Sequence, residues 1–268
     1  AVVHLAGENV ADGRWSTERK KRIVDSRLLG TRNLVAAINK LAPEKRPKAL
    51  ISASAIGYYG YSRAEILDEK SEPANDFLAK LCHDWESEAL EAQKDGLRVV
   101  LLRTGIVLSK EGGALTKMPP VQISDGQSWM SWIHLEDMVR AIQLTIEKDT
   151  ISGPVNCVAP EPVKNKEFVK KLAHAKGLPF VGYAPQFILR AVLGEVSNVL
   201  FSSLQVKPKV LLDSDFKFQY PNLNSALQKE LQGEHLLDNY FFADQFVPLK
   251  PEQIFPFFSK AENLETLT

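Results

Sequence analysis

The sequence predicts an α/β fold in which a parallel sheet carries helices on both faces. Short apolar runs of strand length lie at residues 1–6, 49–54, 98–102 and 153–158. Between them stand segments whose apolar residues recur at helical spacing, at 16–41, 76–94, 136–146 and 164–176. Strand alternating with helix is the pattern of parallel pairing, because a parallel partner needs a crossover connection.

The elements follow in order. Ala1-Val2-Val3-His4-Leu5-Ala6 reads as a buried strand stopped by Gly7. In the first helix Ser16 or Thr17 caps, Glu18 sits in the first turn, and Val24, Leu28, Val35 and Ile38 form one stripe. Gly30 interrupts that helix at about 1 kcal/mol relative to Ala, either for close packing against a neighbour or for no structural reason. Residues 43–47 form a turn, and Ala49–Ser54 is a buried strand ending in small polar residues. Residues 61–75 and 110–128 are polar and loop-like. Beyond residue 179 the alternation ends; helical segments near 185–200 and 224–231 flank an irregular stretch from 207 to 221, a smaller subdomain on the substrate side.

With 268 residues, 33 Lys+Arg and 33 Asp+Glu, the chain carries no net charge, which argues against nucleic acid as a partner. The longest apolar stretch, Phe187–Phe201, contains Arg190 and Glu195 and falls short of the ~18 residues of a membrane span. Two cysteines, Cys82 and Cys157, fit buried thiols in a reducing, cytoplasmic setting. The five histidines show no metal-binding spacing; His83 reads as a surface or packing residue and His134 as a satisfied structural one. The abrupt ends, Ala1 within a strand and Thr268 after a helix, suggest a fragment or a record of ordered residues.

Ligands of parallel α/β sheets bind beyond the carboxyl ends of the strands. Three such ends carry small or polar residues here: Ala6-Gly7-Glu8, Ser52-Ala53-Ser54 and Arg103-Thr104-Gly105. Singly each is a tight turn; on consecutive strands they outline a crevice for a small-molecule ligand. A charge at Arg103, at the end of a buried strand, needs a partner. Either a ligand phosphate or an internal carboxylate such as Glu86 or Glu69 supplies it.

Four motifs then occur in order: Val3-His4-Leu5-Ala6-Gly7, Ser52-Ala53-Ser54-Ala55 with Tyr58-Tyr59-Gly60, Leu102–Leu108, and Trp132-Ile133-His134-Leu135-Glu136-Asp137. Together they resemble the extended short-chain dehydrogenase/reductases. Gly7-Glu8-Asn9, Trp85-Glu86 and Met130–His134 are similar to the atypical, sugar-nucleotide-epimerase-like subfamily, whose members often carry the name cell-division inhibitor. The resemblance implies a Rossmann-like, doubly wound fold. It makes 1–157 a partial dinucleotide-binding domain, with 108–131 contributing to the substrate side, and 158–234 a substrate-side subdomain. It implies NADP(H) rather than NAD(H) as cofactor, held by Ala6, Gly7, Glu8, Arg27, Ser52, Ala53, Arg103, Thr104 and Gly105, and a homodimer through helices 16–41 and 76–94. Residues 235–268 read as a linker and the opening of a START-like domain, on Phe255-Pro256-Phe257-Phe258 and Ala261–Leu264.

The family's G-x-x-G-x-x-G loop does not occur in the sequence. The resemblance sets Ala1 at the fourth strand, so about fifty residues are expected to precede it, and a second gap is expected near Lys117-Met118-Pro119. The family's Tyr-x-x-x-Lys pair is also absent: its place falls on Phe77/Leu81 or Leu78/Cys82, and Arg27 stands where an auxiliary Asn is expected. Ser54 matches the family hydroxyl. Three explanations remain open. Tyr58 or Tyr59 replaces the missing acid, with Arg27 or Lys80 supplying charge; the protein binds cofactor without chemistry; or Glu86 or Asp137 performs the proton transfer. The candidate catalytic set is therefore Ser54, Tyr58 and Tyr59.

Overall fold

The computed structural model describes residues 1–11, 13–118, 120–177 and 183–231, all within one unit, Ala1–Glu234. The chain runs through β1 (Val2–His4), α1 (Thr17–Asn39), β2 (Ala49–Ala55), β3 (Ser62–Leu67), α2 (Phe77–Leu90), β4 (Arg98–Thr104) and β5 (Ile106–Leu108). It continues through β6 (Trp132–His134), α3 (Leu135–Glu147), β7 (Gly153–Cys157), α4 (Asn165–Ala175), α5 (Gln186–Leu193), β8 (Ser203–Val206) and α6 (Leu223–Leu231). The main sheet has the order β1-β2-β4-β7, parallel throughout.

Side-chain alternation divides the core. Leu50, Val99 and Leu101 point toward α1 and α2, where Val35, Ile38 and Ala89 meet them. Ile51, Val100, Leu102 and Val155 face the other way, against Met138 and Ala141 of α3 and against Leu211 and Phe216. Helices thus cover both faces, as the alternation predicts. Each strand side chain buried this way contributes about 1.5–3 kcal/mol, which is why strands this apolar occur only in a two-sided sheet.

The helix starts follow from their caps. Ser16 accepts the Arg19 amide ahead of α1, and Asp76 accepts those of Leu78 and Ala79 ahead of α2. At α3 the capping acceptor is the His134 ring, which takes the Glu136 amide. A Cβ at Gly30 would meet nothing within 4 Å, so that glycine is not there for close packing.

The structure corrects four local expectations. Residues 61–75 are not all loop: β3 lies there, paired in parallel with β8. Within 110–128 are a helical turn, Ala114–Lys117, and a strand pair, Gln122–Ile123 with Tyr183–Ala184. The helix expected over 185–200 breaks at Gly194, whose φ of 62° is left-handed, and resumes at Ser197–Leu200. Residues 209–213 form a short helix inside the stretch expected to be irregular. Among the described residues no helix is long and apolar enough to cross a membrane, and no group of His, Cys, Asp and Glu could hold a metal ion. The START-like reading of 235–268 lies outside the described residues.

Candidate active site

Strand register assembles a polar row at the carboxyl end of the sheet. Ser54 of β2 pairs with Arg103 of β4, and Arg103 pairs with Asn156 of β7. Cross-strand partners share a face; here it is the face covered by α2, whose Glu86 meets the row. Arg103 directs Nε and Nη2 at the Glu86 carboxylate, both at 2.8 Å, and Nη1 at the Tyr59 hydroxyl (3.1 Å) and the Glu69 carbonyl (3.3 Å). Ser54 donates to Glu86 Oε1 at 2.6 Å. Tyr59 donates to Asn156 Oδ1 at 2.7 Å, and the Asn156 amide N–H donates to Glu69 Oε1. Ser54, Tyr59, Glu69, Glu86, Arg103 and Asn156 are all buried. The internal ion pair, one of the two partners open for Arg103, is therefore present.

Tyr58 differs from the rest of the network. It is half-buried, and its ring lies face-on to Arg103, with Cζ 3.5 Å from the centroid. Burial raises its pKa, the Arg103 charge opposes that rise, and Glu86 and Glu72 add to it. Tyr59, enclosed completely, is pushed up to about 12 by burial. Both tyrosines come from one turn, Ile56–Tyr59, closed by Gly60 at φ 88°. A Cβ there would stand 2.5 Å from that of Ala74 and 2.7 Å from Asp76 Oδ2, so the turn admits only glycine.

Next to this turn lie Leu78 and Cys82, one of the two pairs, with Phe77 and Leu81, on which the resemblance sets the family's Tyr and Lys. A Cβ on Gly57 would lie 3.5 Å from Leu78 Cβ and 3.7 Å from Cys82 Sγ. Leu78 joins an apolar cluster with Trp15, Phe77, Val10 and Val199. Burial pushes the Cys82 thiol up to about 12. Neither transfers a proton at neutral pH.

The proposed cofactor-contacting residues divide by accessibility. Ala6 and Gly7 are exposed at the end of β1, and Ala53, Thr104 and Gly105 are half-buried at the neighbouring ends. Ser52 and Arg103 lie underneath, buried. Glu8 turns toward α1, where Arg19 (3.1 Å) and Arg22 (3.3 Å) hold its carboxylate. Arg27 reaches back from α1 over Gly7, donating to the carbonyls of Glu8 (2.9 Å) and Ile23 (3.1 Å), 5.0 Å above the Trp85 ring. It is close enough to act electrostatically on Cys82, so a permanent cation stands beside that thiol. Open small residues flanked by that cation suit a flat, anionic dinucleotide.

The sequence did not single out Asn156. The available signal was an Asn inside an otherwise apolar strand, which must find a partner once buried. Two surface grooves, about 560 Å³ between α4 and α6 and about 440 Å³ between α1 and α2, lie away from the strand ends.

A parallel sheet wound on both faces, with accessible small residues at its carboxyl ends, defines a Rossmann-like α/β protein. Residues 1–157 match the NAD dependent epimerase/dehydratase family, and 184–230 match a domain of unknown function (DUF1731). The chain belongs to the NAD dependent epimerase/dehydratase family. It is 39% identical over 239 residues to the "Epimerase family protein SDR39U1 homolog, chloroplastic" of Arabidopsis thaliana, covering 87% of this chain and 68% of that protein. Among solved structures it is similar to human epimerase family protein SDR39U1 (isoform 2) with NADPH, at TM-score 0.81 and 31% identity over 86% of this chain and 81% of that one. The nucleoside-diphosphate sugar epimerase of Corynebacterium glutamicum gives TM-score 0.70 and 33% identity, with 99% of this chain and 55% of that chain covered.

Proposed function

We propose that the chain binds NADP(H) at the ends of β1, β2 and β4 and reduces a small carbonyl or nucleotide-sugar-like substrate, with Tyr58 as proton donor. The observation that carries this is the Tyr58–Arg103 stack: a half-buried phenol over a fixed guanidinium, beside Leu78 and Cys82, which cannot do the work. The NADPH of the human relative favours NADP(H) over NAD(H). Ala6, Gly7, Ala53, Thr104 and Gly105 would line the cofactor, and Arg27 would balance its charge. A nicotinamide bound there would supply hydride chemistry.

The protein's own part is proton supply. A phenol whose pKa burial has raised stays protonated at neutral pH, so Tyr58 donates to the carbonyl oxygen and recovers its proton from solvent. The apolar Leu78–Cys82 position supports a second reading, a dinucleotide-binding module without chemistry. Buried free thiols fit a reducing compartment such as the cytoplasm.

Fluorescence titration of the intact protein with NADPH and NADH, followed by NADPH consumption on a carbonyl panel, separates these readings. Tyr58→Phe is expected to lower kcat by about 10²–10⁴-fold with cofactor affinity retained. Saturable binding without turnover on any carbonyl establishes the module reading, and binding of neither cofactor overturns both.

A further inference from the structure

The triangle of Ser54, Glu86 and Arg103 fixes where protons lie. Glu86 faces Arg103 through both carboxylate oxygens at 2.8 Å, the geometry of an ionised carboxylate on a guanidinium. Such a carboxylate has no proton to give, so the proton in the 2.6 Å contact with Ser54 is the serine's. A hydroxyl has one proton and two lone pairs. With that proton committed to Glu86, Ser54 presents only lone pairs to whatever else approaches it. Ser54 stands at the carboxyl end of β2, between Ala53 and Ala55, both half-buried. Arg103 cannot act as donor in its place: its nitrogens are directed at Glu86, Tyr59 and the Glu69 carbonyl, and the Tyr58 ring covers its face.

We infer that Glu86 is a positioning residue that sets the hydrogen-bond polarity of the site, making Ser54 an acceptor and leaving Tyr58 to donate. A ligand that contacts both carries an acceptor for Tyr58 and a donor for Ser54. Of carbonyl compounds, the class that fits is the α-hydroxy ketone or aldehyde: its carbonyl oxygen accepts from Tyr58 and its hydroxyl donates to Ser54. A ketone without the neighbouring hydroxyl leaves the Ser54 lone pairs unmatched and is disfavoured against the hydroxy ketone. The substrate class rests on the reading of Tyr58 as proton donor; the role of Glu86 toward Ser54 and Arg103 does not.

Glu86→Gln tests this with little change of shape. The amide oxygen remains for Arg103, and the amide NH₂ now donates to Ser54 Oγ, which frees the serine proton to turn outward. Hydroxyacetone and butanone serve as probes because they match in size and differ by a hydroxyl against a methyl. Wild type is expected to prefer hydroxyacetone in kcat/KM, and Glu86→Gln to reduce that preference about tenfold, the worth of one hydrogen bond. A readout independent of turnover is the ionisation of Tyr58, followed by difference absorbance against a Tyr58→Phe background. Removing the Glu86 charge uncovers Arg103 and moves that ionisation to lower pH, while Glu72, the other carboxylate acting on Tyr58, is unchanged.

A folded Glu86→Gln variant with an unaltered probe preference, or with an unmoved Tyr58 ionisation, overturns the inference. Should wild type reduce neither probe, the carbonyl-reduction reading falls by itself, and the Tyr58 ionisation decides the role of Glu86. Should Glu86→Gln fail to fold, Ser54→Ala removes the acceptor while sparing the ion pair. It is expected to lose the hydroxyacetone preference by about the same factor, and a retained preference overturns the inference.

Discussion

Arg103 shows how the end of a buried strand holds a charge. Its guanidinium is almost without solvent, so its stability depends on Glu86 and on the stacked Tyr58 ring. Removing one member of such a pair leaves the other charged and buried, which costs far more than the pair contributes. Arg103→Met is therefore expected to destabilise the fold by about 3–5 kcal/mol, read from urea denaturation. Adding Glu86→Leu to it should restore most of the loss, since an apolar pair of similar volume replaces the ions; a double variant as unstable as the single one contradicts this account. Tyr59→Phe tests the other branch. It leaves Asn156 Oδ1 without the phenolic proton, and the expected cost is about 1 kcal/mol. Only part of this residue-scale arrangement was legible. Glu86 or Glu69 as a partner for Arg103 follows from the rule that buried charges pair. Asn156 does not, because its place beside Arg103 depends on a strand register that pattern reading does not supply.

At the scale of elements, α1 is the clearest case of a helix whose sequence states its limits. Ser16 caps it, Glu18 follows in the first turn, and the buried side chains Ile23, Thr31, Val35 and Ile38 keep helical spacing. Gly30 breaks that consistency without a packing reason, since a Cβ there has open space around it and its φ is not left-handed. Gly30→Ala is accordingly expected to stabilise the protein by about 0.4–1 kcal/mol, seen as a higher urea midpoint with unchanged slope; a lower midpoint would reveal a constraint at that position. The elements that pattern reading missed share one physical cause. β3, Ser62–Leu67, has mostly polar or exposed side chains, and its strand character comes from pairing with β8, far along the chain. Its local sequence carries turn chemistry and charge, which outweigh any strand signal. β2 and β4 needed no such help, because burial on both faces keeps Leu50–Ile51 and Val99–Leu102 apolar; β1, read from its apolar run as a buried strand, instead leaves Val3 exposed.

Across the whole molecule the buried titratable groups pull stability in opposite directions with pH. His4 and His134 are both held below the ordinary histidine value of 6.5 by burial. His4 bonds Thr31 through Nε2 at 3.0 Å; His134 accepts the Glu136 amide at Nδ1 and sets Nε2 2.8 Å from Glu230 Oε1. Protonation of His134 at Nδ1 removes the acceptor that starts α3. A histidine lowered in the fold contributes stability that is complete above pH 6.5 and is lost as pH falls through its folded value. Glu69 acts the other way: burial raises it above 4.5, so its contribution is complete below 4.5 and is lost as pH rises through the raised value. Oε1 of Glu69 accepts the amides of Asn156 and Val210, joining β7 to the short helix at 209–213, while buried Oε2 has no partner among the described residues. Two histidines against one carboxyl predict that Tm falls as pH is lowered from 7 to 5. Glu69→Gln keeps the Oε1 acceptor and deletes the opposing contribution, so its Tm should fall more steeply over that range. A flat wild-type profile would mean the histidines titrate as freely in the fold as out of it. Equal slopes in the two proteins would mean Glu69 is ionised throughout, and the link between β7 and the substrate-side segment would then be made by a charged group.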